Sequence, residues 1–132
     1  MNKDKDDVLR AAAHLIERFA AHDFEGYFSC FEPGASFIFH NEASFMAPRS
    51  AYEAVWRRWE QEDGFRVIAC HSFDRRVKIF GDVAIYTHQL DTHLSFTTGE
   101  QKIPERETII FHRQPDGAWL AVHEHLSPYN FT

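Results

Sequence analysis

Residues 107–127, ETIIFHRQPDGAWLAVHEHLS, limit the possible folds more than any other stretch of this chain. Two runs of β-branched, apolar and aromatic residues, at 108–113 and 119–126, flank the tetrapeptide QPDG. The proline ends the first run, and Asp-Gly readily takes the positive φ angles of a tight turn. The stretch therefore predicts two antiparallel strands joined by a two-residue loop at Asp116 and Gly117.

Successive side chains of a strand point to opposite faces, so the pairing decides what this hairpin buries. If the loop has two residues, Ile110 lies opposite His123. The face expected to meet the core then carries Ile109, Phe111, Leu120, Val122 and Leu126. The other face carries Arg106, Thr108, Ile110, His112, Trp119, Ala121, His123, His125 and Ser127. Glu107 and Glu124 fall on the apolar face, and acids in that position are the strongest functional signal in the sequence.

Length, charge and cysteine content narrow the class of protein. The 132 residues are enough for one domain, residues 1–132, with a sizeable core, and 13 phenylalanines suggest a core or pocket walled by rings. The net charge of −6 argues against nucleic-acid binding, which needs a basic surface. Cys30 and Cys70 lack metal-ligand spacing and are expected as reduced thiols of a cytoplasmic protein. Without an apolar leader or a membrane-length apolar stretch, the chain is expected to be soluble.

The N-terminal half predicts helix, helix, strand and helix. Apolar residues recur at helical spacing between Val8 and Ala20, and a proline suits the first turn of a later helix. The predicted elements are a helix capped by Asp6 or Asp7, a short helix capped by Asp23 and ended by 32–34, a strand at 35–40, and a helix from Pro48 to about Glu62.

A second, longer hairpin is predicted at 65–80 and 83–97, around Gly81-Asp82. Its more apolar face, expected to point inward, carries Phe73, Val77, Ile79, Ala84, Tyr86, His88 and Leu90. Strands of this length often carry bulges, which exchange the two faces partway. Helices first and antiparallel strands later predict an α+β fold, in which a curved, mostly antiparallel sheet wraps three helices and leaves a cone-shaped cavity.

Two groups of motifs resemble the association domain of calcium/calmodulin-dependent protein kinase II. The motif DFE-x-Y at 23–27, followed by EPG at 32–34, resembles its second helix. Its last two strands are similar to ET at 107–108, FHR at 111–113, DG-x-W at 116–119 and VH-x-H-x-S at 122–127. That domain belongs to the nuclear transport factor 2-like superfamily, with SnoaL-like polyketide cyclases, ketosteroid isomerase and scytalone dehydratase. The resemblance implies a cone-shaped (cystatin-like) α+β fold and usually a homodimer built on the outer face of the sheet.

The resemblance also has a clear departure. Three arginines line the cavity of the association domain, and the corresponding positions here are Leu90, Ile109 and Leu126. All three are apolar, so the anionic-ligand site of that domain is not expected in this chain. These positions lie on the predicted inward faces, which supports the same orientation for Glu107 and Glu124.

Glu124 is the first candidate for chemistry. Burial among apolar side chains disfavours an ionised carboxylate and raises its pKa toward the range of a general acid or base. His88 and Tyr86 are the expected proton partner and oxyanion donor. The expected ligand-binding wall comprises Tyr27, Trp56, Leu90, Glu107, Ile109, Phe111, Val122 and Leu126. Alternatively, Glu124 lies at the cavity mouth, hydrated or paired with an arginine, and performs no chemistry.

The H-x-H pair formed by His123 and His125 allows a metal-binding interpretation. Metal sites need a third or fourth ligand, which no cluster in the sequence obviously supplies, so no bound metal is expected. The family that the chain resembles has the same histidines at its subunit contacts, and this resemblance implies a dimer-face role for them here. The sequence has no G-x-S-x-G, P-loop or glycine-rich dinucleotide motif, and no cofactor is expected.

Together these features predict a cytoplasmic homodimer that binds a small, largely apolar molecule. The expected chemistry is a cofactor-free isomerisation, cyclisation or dehydration of a carbonyl compound by general acid–base catalysis. The alternative is a non-catalytic association or ligand-sensing module. A ring-sized apolar cavity with a carboxylate and a histidine in reach favours the enzyme, whereas a cavity without buried titratable groups favours the module.

Overall fold

The computed structural model describes residues 2–129. Within that range, helices and strands follow in the predicted order: α1 (Asn2–Ala20), α2 (Phe24–Phe28), β1 (Phe31–Phe39), α3 (Arg49–Asp63), β2 (Arg66–Phe80), β3 (Val83–Phe96), β4 (Gly99–Arg113) and β5 (Trp119–Pro128). The α+β fold class is confirmed. None of the helices in the described range is long and apolar enough to cross a membrane.

The strands form one mixed sheet in the order β1-β5-β4-β3-β2. Strands β2 to β5 pair antiparallel with their sequence neighbours, whereas β1 pairs parallel with β5. Because β1 and β2 are edges, the sheet does not close on itself. Helix α1 packs on β2, β3 and β5, and α3 packs on β1. We call the helix-covered side of the sheet the inner face and the opposite side the outer face.

Two helix ends have clear chemical determinants, and the first of them, Asp23, was predicted. Asp23 caps α2, because its Oδ1 accepts a hydrogen bond of 3.0 Å from the backbone N–H of Gly26. Gly64 ends α3 in the left-handed conformation, at φ +65°. These two caps fix where the chain leaves the helical layer.

Two predicted boundaries are wrong. Helix α1 begins at Asn2, several residues before the predicted cap. Arg113 of β4 donates hydrogen bonds of 2.9 and 3.1 Å to Asp4, which holds the first turn of α1 against the sheet. Residues 32–34 belong to β1 and do not end a helix, because Phe31 is already buried and paired with β5.

Aromatic rings fill the space between the helices and the sheet, as the phenylalanine content suggests. Tyr27, Tyr52 and Trp56 are buried at its centre. The Tyr27 ring lies 5.5 Å from the Trp56 ring, and the Phe28 ring lies 4.8 Å from the Tyr52 ring, in the tilted and edge-on arrangements that aromatic pairs prefer. A wall of rings therefore faces the inner side of the sheet.

The prediction of a two-residue loop at Asp116 and Gly117 is wrong, because the Gln114 N–H donates to the Ala118 carbonyl and leaves a three-residue loop at 115–117. A β-bulge in β5 offsets the extra loop residue. Ile110 pairs with His123 as predicted, but Phe111 pairs with Ala121. Val122 is therefore an extra residue on β5, and the strand bends there.

The bulge reverses the alternation of inner and outer side chains. Between the turn and the bulge, Trp119 and Ala121 are buried, so the prediction that they lie on the outer face is wrong. Leu120 and Val122, which were predicted to point inward, are only partly buried for the same reason. Beyond the bulge, Glu124 is buried on the inner face as predicted.

A second bulge lies in β2, where Asp74 and Arg75 together face His88 of β3. Asp74 adopts a positive φ of 52° at this point. The bulge places Ser72 on the inner face and turns Phe73 outward with 37% exposure, so the predicted inward orientation of Phe73 is wrong. On β3, the predicted inner residues Ala84, Tyr86, His88 and Leu90 are all buried.

Candidate active site

A cavity of about 40 Å³ lies between the inner face of the sheet and the helices. Its wall is mainly aromatic and aliphatic and includes three carboxyl groups. The lining residues are Ile16, Phe19, Tyr27, Phe39, Asn41, Tyr52, Trp59, Phe65, Leu90, Thr92, Leu94, Glu105, Glu107, Glu124 and Leu126. One water molecule needs about 10–15 Å³ and a benzene ring roughly 150 Å³. The cavity is therefore a few waters in size, and the ring-sized space expected for an enzyme is not formed.

Glu124 points into this cavity from β5 and is 2% exposed. Its Oε1 accepts a hydrogen bond of 2.8 Å from the Tyr27 hydroxyl, and the Tyr27 and Tyr52 hydroxyls lie 3.1 Å apart. Burial raises the pKa of Glu124 well above its ordinary value, and the neighbouring carboxyl group of Glu107 raises it further. Burial therefore favours the neutral form of Glu124, in which the carboxyl group can act as a hydrogen-bond donor or a general acid.

Glu107 of β4 is buried beside Glu124, and the two carboxyl groups are close enough for each to shift the pKa of the other. A hydrogen bond between them needs a proton on one of the two groups. Burial raises the pKa of Glu107 to about 8, although the hydrogen bond with Glu124 opposes the shift. The two acids form a pair whose first ionisation falls close to neutral pH.

His88 of β3 lies behind this pair. Its Nε2 is 2.7 Å from Oε1 of Glu107, and its Nδ1 is 2.6 Å from the Ser72 hydroxyl and 3.2 Å from the Tyr86 hydroxyl. Burial lowers the pKa of His88 to about 4, with the charge of Arg75 acting in the same direction and that of Glu124 against it. The ring is therefore neutral at physiological pH and can accept a proton on one nitrogen while donating from the other.

Five predicted site residues line the cavity: Tyr27, Leu90, Glu107, Glu124 and Leu126. The other six do not. Tyr86, Trp56, Ile109 and Phe111 are buried around the cavity, His88 reaches it only through Glu107, and Val122 is turned away by the bulge. The expected first partners of Glu124 are also corrected, because Tyr27 and Glu107 occupy the positions foreseen for His88 and Tyr86.

The sequence interpretation missed a third acid. Glu105 is 4% exposed, lines the cavity, and lies 2.6 Å from Nε2 of His40 through its Oε2. Its position two residues before Glu107 on the same strand is the signal that could have identified it. Tyr52 is a buried residue of α3, and its hydroxyl contact with Tyr27 depends on two helices and has no local signature in the sequence.

His123 and His125 lie on the outer face, away from the cavity. The His123 Nδ1 is 2.7 Å from the Ser36 hydroxyl, and its ring lies 6.3 Å from that of His125. Partial burial lowers the pKa of His123, and His125 adds to the shift. In residues 2–129, no group of three or more His, Cys, Asp or Glu side chains is arranged to hold a metal ion.

An open mixed sheet with helices on one face, built in this element order, defines the nuclear transport factor 2-like superfamily. Within it, the chain belongs to the SnoaL-like domain family, whose model matches residues 8–130. A comparison with curated proteins finds no match.

Solved structures share the fold at low sequence identity. A ketosteroid isomerase-like protein from Erwinia carotovora atroseptica has a TM-score of 0.82 and 13% identity, covering 99% of this chain and 100% of the other. A candidate dehydratase of the NTF2-like family from Streptomyces avermitilis has a TM-score of 0.79 and 18% identity, over 98% and 99%. The CaMKII hub of S. rosetta has a TM-score of 0.73 and 18% identity, over 94% and 95%. At such identities the likeness shows the fold and not a shared activity.

Proposed function

We propose that the protein binds a small, largely apolar carbonyl compound in the inner cavity and transfers protons on it without a cofactor. The observation that carries this proposal is the pair of buried, neighbouring acids Glu107 and Glu124 in a ring-walled cavity. Two acids with different proton affinities supply a base and an acid within one site. The ketosteroid isomerase-like and dehydratase-type neighbours support the same class of chemistry.

The proposed reaction starts from the ionised form of Glu107, which is reached as pH rises through about 8. The Glu107 carboxylate takes a proton from the carbon next to the carbonyl group. The protonated Glu124 carboxyl gives its proton to the carbonyl oxygen. The C–H electron pair becomes the C=C bond of an enol, and the π pair of the carbonyl becomes the new O–H bond. Return of a proton to a different carbon isomerises the compound. If the proton of Glu124 goes instead to a hydroxyl group on the β-carbon, the C–O bond breaks, water leaves and the reaction is a dehydration.

The size of the cavity limits the compound. About 40 Å³ accommodates the reacting end of a ligand and not a whole ring. Asn41 is exposed, and Trp59 and Leu126 are half-buried, so the wall is open to solvent at these residues. We propose that the rest of the ligand enters there and that Trp59 and Leu126 move to admit it.

The test measures proton transfer directly. Acetone, butanone and cyclopentanone are incubated with the protein in D₂O, and deuterium incorporation next to the carbonyl is followed by NMR. General acid–base catalysis contributes roughly 10²–10⁴-fold, so Glu124→Gln should slow the exchange at least tenfold. Glu62→Gln, an exposed change on α3, is the matched control. Equal exchange rates for the wild type and Glu124→Gln with all three ketones would exclude the proposed reaction for this compound class.

We also propose that two copies pair through the outer face. Ile85, Ile110 and His123 lie side by side across β3, β4 and β5, and Ile85 is 38% exposed. A contiguous apolar row on a sheet favours a protein contact, and a second copy across a two-fold axis is the commonest arrangement. A non-catalytic association module would need only this surface, and it is the function we would assign if the exchange assay fails.

A further inference from the structure

A chain of hydrogen bonds leads from exposed Arg75 to the buried acids. Arg75 Nε donates to the Tyr86 hydroxyl oxygen at 2.9 Å, and Nη2 donates to the backbone carbonyl of Leu9 in α1 at 2.6 Å. A guanidinium group has donors and no acceptor, so the direction of the first bond is fixed. Tyr86 must therefore turn its own proton elsewhere. The His88 Nδ1 at 3.2 Å is the nearest acceptor, and the Ser72 hydroxyl lies 3.4 Å away.

The Ser72 hydroxyl is closer still to the His88 Nδ1, at 2.6 Å. Tyr86 can therefore donate to Nδ1 directly or to the Ser72 oxygen, with Ser72 donating to Nδ1, and on either route Nδ1 is the acceptor. When Nδ1 accepts a hydrogen bond, the neutral ring carries its proton on Nε2. Nε2 lies 2.7 Å from Oε1 of Glu107, so it donates to that carboxyl group. A donor at this position stabilises the ionised form of Glu107.

A second chain reaches the pair from the helices. The Tyr27 hydroxyl donates to Oε1 of Glu124 at 2.8 Å. Its oxygen is then the acceptor for the Tyr52 hydroxyl at 3.1 Å. Both chains therefore donate into the two carboxyl groups, which favours the form with one proton and one negative charge over the doubly protonated form.

The bulge in β2 builds the first chain. Regular alternation from the outward-facing Phe73 would also send Arg75 outward. Because Asp74 and Arg75 share the position opposite His88, Arg75 turns back to the Tyr86 hydroxyl. The contact with the carbonyl of Leu9 then holds the guanidinium in place.

We propose that Arg75 is a positioning residue of the candidate active site. Through the Tyr86 hydroxyl it keeps the His88 proton on Nε2 and so favours the singly protonated form of the pair of Glu107 and Glu124 over the doubly protonated form. This form contains one base and one acid, as the proposed function requires. The inference rests on the proposed function for what the two acids do, and not for how their protons are arranged. The arrangement of protons is testable without any ligand.

Other titratable groups face the pair from several elements. They are Tyr27 of α2, Tyr52 of α3, Cys30 before β1, His40 after β1, Cys70 of β2, His88 of β3 and Glu105 of β4. Burial raises the pKa values of the Cys30 and Cys70 thiols to about 11 and 12, so both stay neutral. Arg75 is the permanent cation in the hydrogen-bonded chain, which makes it the natural point at which to test the proposal.

The experiment follows ligand-free protein by NMR from about pH 5 to 10. Carbon-13 shifts of the Glu carboxyl groups report the ionisation of the pair, and nitrogen-15 shifts of His88 report its tautomer. In Arg75→Met the first ionisation should move up by about half to one pH unit, and the proton of His88 should no longer be confined to Nε2. Tyr86→Phe should produce the same shift. The double variant should add nothing further, because both changes break one chain.

Arg76→Met is the matched control. It removes the neighbouring, solvent-exposed arginine, which pairs with Asp74, and leaves the chain of hydrogen bonds from Arg75 intact. Arg75→Lys, which keeps a donor and a charge, should restore part of the shift, and thermal melting verifies that each variant folds. An Arg75→Met shift without a Tyr86→Phe shift would overturn the proposal, because Arg75 would then act only by its charge. A wild-type His88 protonated on Nδ1 would also overturn it. If the NMR titration gives the expected result but the protein catalyses no deuterium exchange, the proposed function is rejected and the positioning role of Arg75 stands.

Discussion

A buried carboxyl group that keeps its proton at neutral pH makes the stability of the folded chain depend on pH. Burial raises the pKa of Glu107 to about 8. The folded state then holds a proton that the unfolded state has lost, so this contribution is complete below the unfolded pKa and is lost as pH rises through the folded value. His88 has the opposite sign, since its pKa is lowered to about 4. Its contribution is already complete above roughly pH 6.5, where unfolded histidine is neutral.

We expect Glu107→Gln to flatten the pH dependence of stability between about pH 6.5 and 8. Over this window the wild type should lose about 2 kcal/mol of unfolding free energy relative to the variant, at about 1.4 kcal/mol per pH unit for one proton. Urea unfolding at several pH values measures the difference. The exposed change Glu62→Gln should leave the curve unaltered. Parallel curves for the wild type and Glu107→Gln would mean that the folded protein does not hold this proton.

At the scale of strands and helices, local patterns account for the elements but not for every face. Alternation is sufficient to place Glu107 and Glu124 inward, and Asp23 and Gly64 mark helix ends by their chemistry. The bulges at Val122 and at Asp74 depend on how strands fit the packed helices, which no local pattern encodes. They decide that Trp119 is buried and that Ser72 joins the site.

The residues of the cavity wall could be predicted from the sequence only in part. Its strand residues follow from alternation, as Leu90 and Leu126 do. Residues contributed by the helices, such as Phe19 and Trp59, become neighbours only through tertiary packing. The order of contacts inside the site is likewise a matter of side-chain reach, which is why Tyr27 and not His88 bonds to Glu124.

Gly64 and Gly81 have similar φ angles, so replacing each by alanine distinguishes the stability cost of backbone strain from that of steric crowding. Gly64 has φ +65°, and a Cβ there would lie 2.6 Å from Thr97 Cγ2 and 3.2 Å from Thr97 N. Gly81 has φ +62°, and a Cβ there would meet nothing within 4 Å. Gly81→Ala should cost about 1 kcal/mol of stability from the left-handed conformation alone, and Gly64→Ala at least about 1 kcal/mol more. Equal losses in urea unfolding would show that Thr97 moves aside freely.

At the scale of the whole molecule, the two faces of the sheet have different compositions. The inner face combines rings with the three acids Glu105, Glu107 and Glu124. The outer face carries the row of Ile85, Ile110 and His123 across β3, β4 and β5. Trp119 and Ala121 are excluded from that surface, so the outer face is smaller than the alternation pattern predicts. The remaining row is still continuous across three strands, and the proposed assembly depends on it.

Ile110 is the centre of that row, paired with Ile85 on one side and His123 on the other. If two copies pair there, the wild type should have twice the 15.4 kDa mass of one chain in light scattering at micromolar concentration. Ile110→Asp should give monomers, because each interface would bury two unpaired carboxylates close to the two-fold axis. Ile68→Asp changes a 44% exposed isoleucine at the start of edge strand β2 and should remain dimeric. A monomeric wild type would reject the outer face as an interface, and a dimeric Ile110→Asp would place the contact elsewhere.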